Sequence, residues 1–403
     1  MEHAVIVEAC RTAVGTMGGT LRDVPAVKLA EAVMRGALDR VEIDPALIDE
    51  VIMGQCRQSS DDPNIARIAS LRAGVPESAG AHTVMRQCAS GMTAVQNGAM
   101  QIMTGVSDVV LTGGVESMSN GIFYIRGARY GLGTGSVELL DSVTEGQFQS
   151  QPNETYGRFN MGMTAENVAA LLNISREDQD AFALRSQQLA AAAIDTGRFE
   201  DEIVPVTVPQ GKKKDPIIFT QDEYPRRGVT LEKLASLRPV FPTEGGPGTV
   251  TAGNSCGRND GASVMLMMSE SKAKALGLKP IARIIGMSQA GCDPKTMGLG
   301  PVYAVPKCLA HAGLKMDDIQ LIELNEAFAA QSLGCIRLLN WESKMDIINV
   351  NGGAIALGHP VGSSGCRIIV TLLHEMRRRG LKYGMATLCI AGGMGQATIV
   401  EML

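Results

Sequence analysis

The chain has 403 residues, of which 45% are hydrophobic and 20% are charged, and its formal net charge is −5. This length can bury a large core and predicts two or more packed units, while the slightly acidic balance argues against a nucleic-acid-binding surface. Nine cysteines without a CxxC pair predict reduced thiols rather than a disulfide framework.

Strands and helices are predicted to alternate along the first half of the chain. The predicted strands are residues 4–7, 48–53 and 109–112, and the predicted helices are residues 27–38 and 88–103. Helical spacing of Leu29, Val33 and Ala37 supports the first helix, whereas short apolar runs support the strands. The third strand is expected to end at Gly113 and Gly114. The alternation indicates an α/β layered architecture.

The second half repeats this order of elements. Its predicted elements are a helix at residues 305–312, a strand at 322–324, a helix at 362–379 and a strand that runs into glycines after Leu388. The parallel suggests two similar βαβ-type halves that face each other. Such a pseudo-duplicated fold would place residues from both halves at one central seam.

A stretch of different composition separates the halves. Residues 119–247 are richer in charge, tyrosine and proline. They predict an inserted loop subdomain, which in this position commonly grips substrate. The expected domains are therefore residues 1–118 with 248–275, the insertion 119–247, and residues 276–403.

Cys88 lies in the segment RQCASGM, at a turn that leads into a predicted helix. The dipole and free N–H groups of a helix N-terminus favour a thiolate, the form in which a thiol is nucleophilic. A small residue packed at a tight turn explains this segment alone nearly as well.

His359 is one of five histidines, and it lies in the glycine-rich segment GGAIALGHPVG. So many glycines predict unusual backbone angles or a close approach to another group. An imidazole presented there could accept a thiol proton or polarise a carbonyl oxygen. A lone histidine in a loop is more often solvated.

Two more segments carry polar side chains where a predicted strand ends. Cys389 begins the segment CIAGGMGQA, where a thiol beside exposed N–H groups could exchange a proton near an oxyanion hole. Asn325 begins NEAFA, where it could hold a water, orient a histidine or cap a helix. Taken alone, each is explained better as a buried cysteine or an ordinary cap.

Together the four segments resemble the thiolase family. CASGM at Cys88, NEAFA, GGAIALGHPVG and CIAGGMGQA occur in the family's order at similar intervals, and MTAEN, LRPVF and TAGN at residues 163–167, 237–241 and 251–254 add to the likeness. The resemblance covers essentially the whole chain. It implies the thiolase fold, in which the two halves pack as an α/β/α/β/α core.

The resemblance also implies a role for each candidate. Cys88 would carry the acyl group as a thioester, and His359 would activate Cys88 and help to bind the thioester oxygen. Asn325 would position a water in the same oxyanion hole, while Cys389 would move the proton at the substrate α-carbon. Backbone N–H groups of Cys88 and Ala391 would form a second oxyanion hole. The enolate needs such support because a thioester α-proton is weakly acidic.

Substrate-binding residues follow from the same resemblance. Arg226, in YPRRG, matches a segment that contacts the nucleotide end of coenzyme A. The positions expected to hold the pantetheine arm or the acyl group are Ala252, Cys256, Met161, Met297 and Phe328.

Three positions depart from the usual family pattern. Ala391 stands where glycine is common, Cys256 stands where many members have serine, and Asn160 stands where short-chain members often have histidine. None of these departures removes a catalytic group. They bear on acyl specificity and on how the pantetheine arm is held.

The implied activity is acyl transfer to and from coenzyme A, with two molecules of acetyl-CoA forming acetoacetyl-CoA and CoA. The alternatives are degradative thiolysis of longer 3-ketoacyl-CoA chains, a thiolase-like lipid-binding protein without catalysis, and a Cys-His hydrolase whose acyl-enzyme prefers water. The three retained catalytic residues argue against the binding protein. A second thiol at Cys389 argues against a ketoacyl synthase.

Partners and location are expectations of the same kind. Coenzyme A thioesters are expected as substrates, without a cofactor or metal, and residues 123–140 resemble a loop through which family dimers pair into tetramers. The N-terminal residues lack a basic region followed by an apolar core, and no apolar run is long enough to span a bilayer. A cytoplasmic homotetramer, or a dimer, is expected, with no nucleic-acid or membrane partner.

Overall fold

A computed structural model describes residues 2–211, 214–243 and 245–403. Its strands are β1 (Ala4–Thr12), β2 (Gly15–Thr16), β3 (Glu50–Gly54), β4 (Gly80–Val84), β5 (Val109–Ser117), β6 (Phe123–Tyr124), β7 (Leu140–Asp141), β8 (Ile203–Val204), β9 (Val206–Val208), β10 (Ile217–Phe219), β11 (Asn259–Ser269), β12 (Ala282–Gly291), β13 (Leu321–Leu324), β14 (Tyr383–Ile390) and β15 (Met394–Met402).

The helices are α1 (Ala26–Val41), α2 (Ile65–Ala73), α3 (Ser90–Thr104), α4 (Ser142–Phe148), α5 (Asn153–Tyr156), α6 (Met161–Leu171), α7 (Arg176–Asp195), α8 (Leu231–Ala235), α9 (Glu270–Ala275), α10 (Gly300–Ala312), α11 (Ala329–Leu338), α12 (Ala354–Leu357) and α13 (Val361–Arg379). Short 3-10 turns cover Pro45–Leu47, Ala128–Tyr130, Pro294–Leu299, Met316–Asp318 and Glu342–Ile347. Among the described residues, no helix combines the length and apolar character needed to cross a membrane.

One mixed sheet runs through the molecule in the order β13-β14-β15-β12-β1-β11-β5-β3-β4. Its two ends repeat one pairing pattern, since β13 is parallel to β14 as β3 is to β5. Likewise β15 is antiparallel to β14 as β11 is to β5. The half-sheets meet where Val5 pairs with Arg283 and Ile6 with Ala282. The prediction of two similar α/β halves is confirmed.

The helices α3 and α13 form the middle layer between the half-sheets. They pack on each other, with α3 against β3 and β5 and α13 against β13 and β14, while α1 and α10 cover the outer faces. Glycine permits the close approach, because a Cβ on Gly91 would lie 2.9 Å from the Cys366 nitrogen. A Cβ on Gly365 would lie 2.6 Å from the Met92 nitrogen. The two helix N-termini are therefore held together by backbone contact.

Several predicted boundaries need correction, among them that of the first strand, which was predicted at residues 4–7 and continues to Thr12. The strand expected to stop at Gly113 continues to Ser117, with Gly113 paired to Val264 of β11. A side chain at Gly113 would meet the Val264 Cα at 2.9 Å, so this glycine serves close packing inside the sheet. The helix expected from residue 88 begins at Ser90, and the helix expected from residue 305 begins at Gly300 because Pro301 fits its first turn.

Candidate active site

Cys88 stands two residues before α3, in the middle layer, and only 8% of its surface is exposed. Burial raises the pKa of its thiol. The backbone N–H groups of Ala391 and of Cys88 itself lie close enough to the sulfur to lower its pKa, as does the positive charge of Arg57. The site thus brings together the thiol and the two N–H groups that the sequence assigned to an oxyanion hole.

His359 stands two residues before α13 and is buried. Its backbone N–H donates to the Asn259 side-chain oxygen at 2.9 Å, which fixes the position of the loop. Burial, reinforced by the charge of Arg367, lowers the pKa of the imidazole to about 3. The ring is therefore neutral at physiological pH.

The hydrogen bonds of Ser364 select the tautomer of this neutral ring. The Ser364 hydroxyl donates to the Pro360 carbonyl at 3.0 Å, and it lies 2.6 Å from Nδ1 of His359. Since the hydroxyl has only one proton, it must accept from Nδ1–H, and Nε2 is then left unprotonated. Within the described part of the chain Nε2 has no hydrogen-bond partner, so it is an available base.

Cys389 lies near the end of β14 and is fully buried. Burial raises the pKa of its thiol well above the ordinary value, and the neighbouring Cys88 sulfur is the next contribution. The two thiols therefore lie close enough to influence each other's charge. At rest Cys389 is protonated, which makes it a proton donor first and a base only after it has given that proton away.

Asn325 follows β13, and its backbone N–H donates to the Thr387 carbonyl at 3.0 Å. Both atoms of its side-chain amide are buried without a partner among the residues described. Buried amides without partners are rare and usually bind ordered water. The side chain is therefore suited to holding the water that the sequence predicted.

Glu326 secures the segment that carries His359. Its buried carboxylate accepts hydrogen bonds from the Ser186 hydroxyl at 2.6 Å, the Asn349 amide at 2.8 Å and the Ile355 N–H at 3.2 Å. These bonds join α7, the end of β13 and the glycine-rich loop. The sequence analysis gave no role to Glu326, because its partner Ser186 is 140 positions away.

An open cavity of about 270 Å³ leads to Cys88. Eight of the predicted site residues line it: Cys88, His359, Ala391, Met161, Met297, Ala252, Cys256 and Phe328. Cys389 and Asn325 are buried and are not part of this lining. No cluster of three or more metal-binding side chains occurs in residues 2–211, 214–243 and 245–403.

Arg226 lies outside this lining, with an exposed side chain. Its guanidinium stacks 5.2 Å from the centre of the Tyr224 ring and donates to the Tyr224 hydroxyl at 3.3 Å. A Cβ on Gly257, which lines the cavity, would touch that tyrosine ring. Arg226 therefore lies beyond the rim, where a charged end of a long ligand would emerge.

The family models that match the chain are the N-terminal domain of thiolase, over residues 4–271, and the C-terminal domain of thiolase, over residues 278–402. The chain belongs to the thiolase family. Curated relatives agree: it is 49% identical to acetyl-CoA acetyltransferase of Chromobacterium violaceum, covering 99% of each chain. It is 46% identical to the enzyme of that name from Cupriavidus necator, covering all of both chains.

Solved structures show the same thiolase fold. The acetyl-CoA acetyltransferase of Bacillus anthracis superposes with a TM-score of 0.95 at 45% identity, over 100% of this chain and 99% of that one. Human mitochondrial 3-ketoacyl-CoA thiolase in complex with CoA superposes with a TM-score of 0.93 at 42% identity, over 100% and 98%. The predicted thiolase fold and family are thereby confirmed.

Ser364 and Arg57 are among the residues of this thiolase site that were not predicted. Ser364 was missed although it lies one turn after His359, because serine in a helix has no distinctive pattern. Arg57 lines the cavity beside Cys88 and was missed because it follows a strand in an unremarkable polar segment. A search for charged residues just after each predicted strand end would have found Arg57.

Proposed function

We propose that this chain catalyses reversible acyl transfer to coenzyme A, with two acetyl-CoA condensing to acetoacetyl-CoA and CoA through an acyl-Cys88 intermediate. One observation carries the proposal: Cys88, His359 and Ala391 line one cavity, and the N–H groups of Ala391 and Cys88 lie near the sulfur. The relatives named acetyl-CoA acetyltransferase, matched over nearly the full length, support this choice of reaction.

In the first half-reaction, Nε2 of His359 accepts the Cys88 proton as the thiolate attacks the thioester carbonyl of acetyl-CoA. The N–H groups of Cys88 and Ala391 stabilise the oxyanion, because preorganised donors need no rearrangement. Coenzyme A then leaves with the proton of Cys389, which becomes a thiolate, while the acetyl group remains on the Cys88 sulfur and the Cys88 proton stays on His359. A neutral histidine is required at the start, and the buried ring supplies it.

In the second half-reaction, the Cys389 thiolate removes the α-proton of a second acetyl-CoA. We assign the enolate oxygen to His359 and to a water held by Asn325. The enolate carbon attacks the acyl-Cys88 carbonyl, a carbon–carbon bond forms, and the released Cys88 thiolate takes its proton back from His359. Thiolysis is the reverse, in which Cys389 starts as the protonated thiol that burial favours.

The substrate is assigned along the cavity from its mouth inward. Arg226 is placed against the phosphates of coenzyme A, where a charge-assisted contact would be partly screened by salt. Ala252 and Cys256 are placed along the pantetheine arm, and Met161, Met297 and Phe328 around the acyl group. Coenzyme A enters as a substrate, and no resident cofactor or metal is expected.

The proposal also specifies the length of the acyl chain that the enzyme prefers. Asn160 caps α6 by accepting from the Met163 N–H at 3.0 Å, beside the cavity residue Met161. It stands where the family resemblance gives histidine to short-chain members, and this favours longer chains as the second candidate. Steady-state thiolysis across 3-ketoacyl-CoA lengths separates them: an optimum at four carbons supports acetyl transfer, and one at six or more supports the degradative alternative.

We further propose a cytoplasmic homotetramer that acts in fatty acid metabolism. The segment between β5 and α4 exposes apolar side chains, with Phe123 61%, Tyr130 94% and Leu139 61% accessible. Exposed apolar patches of this kind mark interaction surfaces. Light scattering with size-exclusion chromatography should give four copies per particle, and charged substitutions at Phe123 and Leu139 should reduce this to two.

A covalent intermediate is the most direct test of the activity. After incubation with acetyl-CoA, intact mass and peptide mapping should locate one acetyl group on Cys88. Cys88→Ala should carry none and should lose condensation and thiolysis completely. An adduct on another cysteine, or turnover by the variant, would overturn the assignment.

A further inference from the structure

Arg57 follows β3 and places its guanidinium in the cavity wall, next to the reactive thiol. The guanidinium lies over the backbone of Gly146 in α4, where a Cβ would stand only 2.7 Å from Cζ. Any side chain at position 146 would therefore displace it. Glycine at position 146 therefore leaves the space that the Arg57 cation occupies.

The Glu116 carboxylate is close enough to interact with the charge of this cation, but no acidic group among the described residues forms a salt bridge with it. The buried Nε of Arg57 has no hydrogen-bond acceptor. The Glu116 carboxylate nearby is occupied instead by the N–H groups of Cys56, Arg57 and Gly362, at 3.0–3.1 Å. Glu145, also nearby, pairs with Arg158 at 2.9 Å. A part-buried arginine without an anion is costly unless a ligand supplies one.

The rest of the cavity is consistent with an anionic ligand. Of the residues that the structure describes, none that lines the cavity is an aspartate or a glutamate. The second arginine of the lining, Arg258, is exposed and bonds the Thr144 hydroxyl at 3.4 Å. Arg258 thus lies on the solvent side, where coenzyme A phosphates would pass, whereas Arg57 lies beside the sulfur that would carry the acyl group.

We propose that the cavity accepts 3-ketoacyl-CoA substrates whose acyl chain ends in a carboxylate, and that Arg57 pairs with that carboxylate. This inference rests on the proposed acyl transfer at Cys88. In thiolysis, the Cys88 sulfur bonds to C3, the C2–C3 bond breaks, and C2 takes a proton from Cys389 and leaves as acetyl-CoA. The carboxylate-bearing acyl group stays on Cys88 until the thiol of coenzyme A takes it, with the thiol proton returned to the enzyme.

Two substrates with acyl chains of equal length show the effect of the terminal carboxylate on kcat/KM. Thiolysis of 3-oxoadipyl-CoA, which ends in a carboxylate, is compared with that of 3-oxohexanoyl-CoA, which ends in a methyl group. The wild-type enzyme should favour the former in kcat/KM. Arg57→Leu should lower the ratio of the two values by roughly tenfold or more, the usual effect of a hydrogen-bonded charge. Arg258→Gln, the matched control, should affect both substrates alike and leave the ratio unchanged.

Two further measurements are the turnover of acetoacetyl-CoA and the rate at which iodoacetamide alkylates Cys88. Wild-type turnover of acetoacetyl-CoA alone, with neither six-carbon substrate accepted, would overturn this inference while sparing the proposed function. No turnover of any substrate would instead overturn the proposed function. If Arg57→Leu slows iodoacetamide alkylation of Cys88 but leaves the substrate ratio unchanged, Arg57 only tunes the thiol and the inference is wrong.

Discussion

Each half of the chain contributes one helix to the middle layer. In both halves, the residue two positions before that helix lines the cavity. Before α3 it is Cys88, and before α13 it is His359. The thiol lies near N–H groups that favour its charge, whereas the imidazole is buried near Arg367, which disfavours its charge. Equivalent topology therefore fixes where each side chain lies, and its neighbours decide whether it is suited to act as nucleophile or base.

The strands that follow these helices in the chain show the same contrast. In both halves a strand of the sheet runs into a pair of glycines. Gly113 and Gly114 stay in β5 and pair with β11, whereas Gly392 and Gly393 leave β14 with φ of 89° and 83° and form the turn that carries the Ala391 N–H. The turn after β14 needs glycine because of its positive φ angles, whereas β5 needs glycine because a side chain would clash with β11.

Among the substitutions that test this comparison, Cys389→Ser should have the largest effect on activity. Cys389→Ser should still be acetylated at Cys88, but condensation should fall by about 10²–10⁴-fold, because a hydroxyl is a far poorer base than a thiolate. Intact mass follows the first step and acetoacetyl-CoA formation follows the second. Equal loss of both steps would show that Cys389 only packs the strand.

The neutrality of His359 predicts a dependence of stability on pH. In the folded chain the ring protonates only near pH 3, whereas in the unfolded chain it protonates near 6.5. The unfolded state therefore binds more protons between these values, and stability falls as the pH falls. Between pH 6.5 and 5, wild type should lose about 1.6 kcal/mol of unfolding free energy more than His359→Asn.

Urea unfolding at one protein concentration measures this difference. Parallel losses in the two proteins would mean that the ring titrates normally in the folded state. In that case burial does not keep His359 neutral, and the contrast drawn above between His359 and Cys88 is wrong.

Ser364→Ala tests whether the tautomer of His359 matters. Without the hydroxyl, Nδ1–H loses its acceptor, and the tautomer with a protonated Nε2 becomes competitive. Acetylation of Cys88 should slow by roughly tenfold. Ser364→Thr keeps the hydroxyl and should retain most of the rate, while comparable melting temperatures would exclude a general loss of structure. Full activity in Ser364→Ala would show that the bond is dispensable.

Ala391→Gly should have the smallest effect and concerns the wall of the cavity. The variant keeps the N–H donor and removes a methyl group that lines the cavity. The kcat/KM ratio for six-carbon over four-carbon 3-ketoacyl-CoA should rise a few-fold, while the added backbone freedom costs about 0.5–1 kcal/mol of local order. Measuring both substrates on one preparation cancels the active-site concentration. A flat or lower ratio would show that the methyl does not limit the acyl group.

The sequence predicted the repeated halves and the two helix starts because both depend on local patterns. Helical periodicity after Cys88 and glycines around His359 are read from a few neighbouring residues. The contacts of Glu326 and Ser186 could not be read in this way, since they join segments that only the folded chain brings together. The isolation of Arg57 was equally hidden, because a missing ion pair depends on where every nearby carboxylate points.

The boundary error at Gly113 has a different cause. Two glycines after an apolar run fit a turn and a tightly packed strand equally well, and only the neighbouring strand β11 distinguishes them. The domain limits at residues 118/119 and 247/248 stay a prediction.

The glycine contact between α3 and α13 also constrains how such a protein can be recombined. At Gly91 and Gly365 the helices touch through backbone atoms, so no flexible side chain lies between them to absorb a misfit. A chimera that joined the first half of this chain to the second half of a relative would need a matching seam at these positions. Directed evolution by fragment exchange should therefore tolerate crossovers in the surface loops and reject those that separate these two glycines from their facing residues.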